Sequence, residues 1–210
     1  NAWDHAHVYN KAIRPGTQMT DSFSQDALLS ASADYHNQLN LTGDGIMGYI
    51  KIPSIRVDLP IYHGTEKMTL EKGVGHLLGT SLPVGGDSTH TVLTGHSGMA
   101  GKKMFSDVLQ MGIGDVFYLE VLGETLAYQV DQINTVLPHD TSYLGNLEGQ
   151  DHCTLVTCTP FGVNTHRLLV RGIRIPYKEA EQIVQEIEPE DLPMSKWEQE
   201  YIKGIFIGLS

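Results

Sequence analysis

Between Gly45 and about Ile175 the chain is a succession of short apolar runs broken by turn residues. "MGYIKIP", "RVDLPIYH", "STHTVLTGH", "DVFYLEVLG", "TLAYQVDQINTVLP", "CTLVTC" and "RLLVRGIRI" are rich in Val, Ile, Leu, Thr and Tyr, and Gly, Pro or Asp bounds each of them. Residues of these types favour the pleated, half-buried surface of a strand. Several strands at such short spacing close into a barrel or pack as a sandwich, so the expected class is mainly β. The flanks read differently. "SQDALLSASADYHNQL" has helical spacing, with Leu28, Leu29, Ala33 and Leu39 near one side and a start at Ser24. Ile13–Thr20, containing Pro15-Gly16, reads as a loop. After Tyr177, "KEAEQIVQEIEPED" is an amphipathic helix stopped by Pro189, and "PMSKWEQEYIKG" is a second helix.

Charge narrows the partners. The 210 residues carry a net charge of -11, which disfavours a nucleic-acid phosphate backbone. The same acidity serves solubility, or a preference for a cationic group such as a lysine. The chain begins at Asn1 without a methionine or an apolar signal segment, as a mature or trimmed piece would. The apolar run Gly204–Leu209 is far shorter than the about 20 residues a membrane span needs. It is either a tail packed on the domain or the start of a span.

The two cysteines, Cys153 and Cys158, raise the chemical question. In one extended strand they stand roughly 16 Å apart on opposite faces, too far for a disulfide. The histidines are dispersed, apart from His5-x-His7, so no zinc-type ligand set emerges. A buried thiol and a nucleophile remain. Cys153 shares a face with Leu155 and reads as core. Cys158 ends its strand just before Thr159-Pro160, at a rim. If the next strand pairs beside it, Arg167 flanks the same turn, where a guanidinium favours thiolate and can hold a developing oxyanion. "THTVLTGHSG" also ends at a rim, on His96. Whether Cys, His and Arg converge is not decided by spacing.

The residues also carry a resemblance. "TLVTC" resembles the TLxTC signature of sortases, the cysteine transpeptidases of Gram-positive surfaces, and "LTGHSG" resembles their histidine segment. "GYIKIPSIRVDLPIYHGT", "KGVGHLLGTSLPVGGDSTHTVLTGHSG" and "TLVTCTPFGVNTHRLLVRG" are similar to the pilin-polymerising class C branch. The resemblance covers roughly residues 45–175. It implies an eight-stranded sortase-type β-barrel at 45–177, an N-terminal lid segment and helices at 1–44, and C-terminal helices at 178–210 leading toward a truncated transmembrane segment. It implies Cys158 as nucleophile, His96 as general acid/base and Arg167 as oxyanion and substrate support. Thr157 helps shape the site. His166, Arg171 and Arg174 are structural or surface residues.

Class C lids carry an Asp-Pro-aromatic motif. Here the match is Asp21-Ser22-Phe23, with Ser22 in place of the proline. By the resemblance, Asp21 occupies Arg167 and the Phe23 ring covers the cysteine. A helix-capping stretch is the other reading of "TDSFS". The implied partners are pilin subunits that present an LPxTG-type sorting signal and an acceptor lysine. No cofactor and no metal is implied, and the implied location is the extracellular face of the cell membrane. The competing readings are a sortase that anchors proteins to peptidoglycan, a hydrolytic cysteine protease, and a non-enzymatic β-module.

Overall fold

The computed structural model describes residues 1–13, 19–24, 33–186, 194, 198, 199, 202 and 203. Eight strands close into one barrel: β1 (Ile46–Ile52), β2 (Val57–His63), β3 (Val74–His76), β4 (Thr89–Thr94), β5 (Val116–Val121), β6 (Glu124–Val136), β7 (Asp151–Thr159) and β8 (His166–Ile175), in the order β1-β2-β3-β4-β7-β8-β6-β5. Closure removes the exposed edges that an open sheet would present. Seven of the eight strands coincide with the runs read from the sequence. The missed strand, β3, is the tripeptide Val-Gly-His, too short to show a period of two. Its glycine is obligatory, because a Cβ on Gly75 would lie 2.3 Å from the Gly64 carbonyl oxygen.

Among the described residues, the helices that flank the barrel include α1 (Ala2–Ala12), α2 (Ala33–Asn37), the short α3 (Lys67–Leu70) and α4 (Tyr177–Gln185). The sequence reading did not pick out α1. Its start is a capping box, in which the Asn1 side chain accepts from the Asp4 N–H and the Asp4 carboxylate reaches back. Asn10 docks α1 on the barrel by exchanging two hydrogen bonds with the Leu82 backbone, at 2.7 and 3.2 Å. Of the expected helix from Ser24, α2 is the described part; Leu28 and Leu29 lie outside the described residues. So do Pro189, the 204–209 run and most of "PMSKWEQEYIKG". Among the described residues no helix is long and apolar enough to cross a membrane.

Strand alternation gives the barrel wall two apolar surfaces. Leu93, Cys153, Leu155 and Val170 point into the interior core with Phe117 and Tyr128. Val92, Val156 and Leu169, each one residue along, form a separate cluster with Leu77, Val136 and Leu144 on the outer face. Met19 and Phe23 of the N-terminal segment pack on that outer cluster.

Candidate active site

The pairing of β7 with β8 is a simple antiparallel hairpin, and its register sets Cys158 directly opposite Arg167. The conditional reading from the sequence, that sequential strands would bring these two to one turn, is what the register shows. The strand β4 lies parallel to β7 on its other side, with Thr94 beside Val156. His96 therefore leaves β4 at the same rim as Cys158.

Three hydrogen bonds staple the His96 segment to β7. The Gly95 N–H donates to the Val156 carbonyl at 3.0 Å. The Thr157 hydroxyl donates to the Gly95 carbonyl at 2.8 Å, and the Ser97 hydroxyl to the Cys158 carbonyl at 2.8 Å. Thr157 thus shapes the site by holding the histidine turn, and Ser97 is a contributor that the sequence reading passed over. Gly95 permits the close approach: a Cβ there would sit 2.5 Å from the buried Phe105 ring.

The N-terminal segment covers this rim. Both Asp21 carboxylate oxygens accept from the Arg167 guanidinium, Oδ1 from Nε at 2.9 Å and Oδ2 from an Nη at 2.7 Å. The other Nη donates to the Asn164 and His166 carbonyls at 3.1 Å each. Every guanidinium nitrogen is thus engaged. The Phe23 ring lies with its centroid 4.9 Å from the guanidinium carbon and 5.6 Å from the His96 ring, so it bridges the two. Asp21 also holds its own turn together, since its carbonyl accepts from the Ser24 N–H at 2.9 Å. The turn and the ion pair are both present, and the residues that a cap at "TDSFS" would start, 25–32, lie outside the described residues.

The electrostatics depart from one expectation. A guanidinium beside a thiol lowers its pKa, and Arg167 does act on Cys158 in that sense. Burial pushes the thiol the other way and is the larger effect, and the Asp21 charge adds to it. The net shift is upward, so with the segment in place Cys158 is a thiol, 8% exposed. Burial also lowers the His96 pKa, opposed by the Glu71 charge, so His96 is a neutral imidazole. Cys153 is buried, with its pKa raised well above the usual value by burial, as suits a core thiol. Arg171 pairs with Asp131 at 2.6 Å, and Arg174 lies over the Tyr128 ring. Both lie away from the Cys158 rim, and His166 bonds its neighbour Thr165.

Residues 50–175 match the sortase domain family. The chain belongs to the sortase family. Sortases are cysteine transpeptidases of the Gram-positive cell envelope. In structure the chain is similar to sortase C-1 from Actinomyces oris, at 46% identity and a TM-score of 0.78, over 83% of this chain and 96% of that one. It is also similar to the pilus-related sortase C of Group B Streptococcus, at 45% identity and a TM-score of 0.76, over 84% and 89% of the two chains. Among curated proteins, sortase A of Streptococcus agalactiae is 28% identical over 141 residues, 66% of this chain and 54% of that protein. The chain thus spans about half the length of that curated relative. The fold and its structural neighbours place it with the class C sortases.

Proposed function

We propose that this sortase cleaves an LPxTG-type sorting signal between Thr and Gly and joins the acyl group to a lysine amine of another pilin subunit. The observation that carries the reading is the juxtaposition of Cys158 and Arg167 across the β7–β8 pairing, with His96 stapled to the same rim. His96 takes the Cys158 thiol proton as the sulfur attacks the Thr carbonyl. Arg167, released from Asp21, supports the tetrahedral oxyanion, and His96 protonates the departing glycine amine. A thioester on Cys158 results. The lysine amine then displaces the sulfur, and repetition of this transfer builds a covalent fibre. The outer apolar face of Val92, Val156 and Leu169 suits the Leu-Pro end of the signal once Met19 and Phe23 move off it. Segment 19–24 acts as a lid, and Asp21 and Phe23 are its contacts. The full-length protein is membrane-anchored and works on the extracellular face.

The test is intact mass after incubation with an LPxTG-type peptide. The wild-type chain, Cys158→Ala and a chain lacking residues 1–25 are compared. The expected result is an acyl adduct that requires Cys158 and accumulates faster without residues 1–25. Absence of adduct and cleavage in every folded version would overturn the reading. Offering a pilin lysine against a cell-wall amine separates polymerisation from anchoring.

A further inference from the structure

Two surfaces border the Phe23 ring, and their chemistry differs. On the Arg167 side is the apolar outer face beneath Met19 and Phe23. On the His96 side of the Phe23 ring is a cleft of about 470 Å³ that neither Cys158 nor Arg167 lines. Its walls are Phe23 and Ser24 of the N-terminal segment, the stretch from Thr65 to Glu71 that includes Glu66, Lys67 and Leu70, and the loop from His96 to Met99. Glu66 is used locally, accepting from the Thr69 hydroxyl at 3.1 Å. Glu71 is half-buried, and among the described residues its carboxylate has no ion pair. Lys102 bonds the Glu71 backbone carbonyl at 2.6 Å rather than its side chain. The Glu71 charge is felt at His96. Lys67 offsets one of the two carboxylates, and the cleft keeps a half-buried carboxylate outside any ion pair on the same wall set as a neutral imidazole, an arrangement that a cationic ligand completes.

We propose that this cleft admits the second substrate, a lysine side chain arriving as its ε-ammonium, and that Glu71 draws it in. The assignment rests on the transpeptidase reading above. After the first step His96 is neutral and the acyl group sits on the Cys158 sulfur. The apolar face is then still filled by the sorting signal, so the acceptor needs another approach that reaches His96. The cleft is that approach. The ε-ammonium gives up two protons in all. His96 takes one and passes it to solvent. As the C–N bond forms the C–S bond breaks, and the second proton ends on the Cys158 sulfur. Glu71 takes no proton; it is a positioning residue. Because Phe23 and Ser24 form one wall, lid opening widens the acceptor cleft and uncovers the signal face in a single movement.

The test partitions one acyl-enzyme between transfer and hydrolysis. Wild type and Glu71→Gln, each with and without Asp21→Ala, are loaded with an LPxTG-type peptide. Nα-acetyl-lysine amide is offered, or hydroxylamine, which is uncharged at pH 7.5. With the lysine acceptor, the transfer-to-hydrolysis ratio is expected to fall about threefold in Glu71→Gln, the range of one partly exposed charge pair. Added salt lowers the wild-type ratio and leaves the variant's flat, and with hydroxylamine the two proteins match. The wild-type contrast between acceptors across salt requires no folded variant. Equal ratios for the two proteins with lysine, or a wild-type ratio indifferent to salt, overturn the cleft and leave the transpeptidase standing. Absence of any Cys158-dependent acyl-enzyme in either background overturns both.

Discussion

Arg167 is pulled between two partners, and the sign of that competition can be measured at the neighbouring sulfur. Its guanidinium lowers the Cys158 pKa and the Asp21 carboxylate raises it. Alkylation by iodoacetamide reports the thiolate, so its rate climbs as pH rises through the thiol pKa. Asp21→Asn removes an effect that raises the pKa, and the midpoint is expected to move to lower pH. Arg167→Gln removes the effect that lowers it, and the midpoint should move up. Equal midpoints in the three proteins would dissociate the ion pair from the cysteine. On the proposed lid role, the same pair is expected to set accessibility. Asp21→Ala is expected to speed acylation by an LPxTG-type peptide about tenfold, the equivalent of roughly 1.4 kcal/mol for one charge-assisted pair, as read by intact mass against time. Arg167→Lys is expected to lose most acylation, because an ammonium cannot reproduce the planar fork. The positions of Cys158, His96 and Arg167 could be read because each sits at a strand end beside turn residues. Glu71 and Ser97 gave no such signal. The Ser97 contact, and the role proposed for Glu71, arise between elements distant in sequence, which no spacing encodes.

At the scale of elements, the segment proposed as a lid contains a single turn whose departure from the family motif can be interpreted. The Ser24 N–H bonds the Asp21 carbonyl, and neither Ser22 nor Phe23 has positive φ. That is a type I arrangement with Ser22 at its second position, where proline is favoured. Ser22→Pro is therefore expected to be tolerated and to stiffen the closed turn by about 0.4–1 kcal/mol through the unfolded lid. Acylation should slow about two- to fivefold, and a rate equal to or above wild type would count against a closing role. Gly95 tests the opposite end of the site. Gly95→Ala drives a methyl against the Phe105 ring, which is buried and has nowhere to go. The expected cost is about 1–3 kcal/mol in urea unfolding, with a larger proportional loss of acylation because the displaced segment carries His96. Long strands such as β6 and β8 were legible because they run ten or more residues and are rich in Val, Ile, Leu, Thr or Tyr. The strand β3 was not, since parallel pairing to β2 rather than its own three residues makes it a strand. The helix α1 was missed for a related reason. It fully buries only Ala6 and Asn10, with Trp3 and Tyr9 packed partly against the core, so its apolar face is sparse and a cap and a docked amide add to it.

The whole molecule carries a pH dependence that its active site does not explain. His76 is fully buried beside Tyr35, and one ring nitrogen meets the Tyr35 hydroxyl at 2.9 Å while the other meets the Ser81 carbonyl at 2.9 Å. His90 bonds the Gly145 carbonyl at 2.9 Å and the Thr154 hydroxyl at 2.7 Å. Each ring is satisfied as a neutral imidazole donating to a carbonyl and accepting from a hydroxyl. Burial lowers both pKa values from 6.5 to about 4. Below pH 6.5 the unfolded chain binds two protons that the folded barrel refuses, so unfolding takes up protons and stability falls as pH falls. The loss runs from about pH 6.5 down to about 4, below which both states are protonated and the dependence levels off. Above 6.5 these two residues contribute no slope. Each histidine adds up to about 1.4 kcal/mol per pH unit inside the window, so the pair is expected to approach about 2.7. Urea unfolding free energies at half-unit steps from pH 4 to 8 would show it. Substituting either His76 or His90 by Gln is expected to remove about half of the pair's share of the slope, with His63, His96 and His152, also lowered by burial, supplying the remainder. These histidines tie the α2 region and the β6–β7 connection to the wall that carries Cys158 and His96. Mild acid should therefore loosen the scaffold around the site before it alters the reacting groups, and acylation should fail together with the barrel's unfolding free energy rather than at a separate titration.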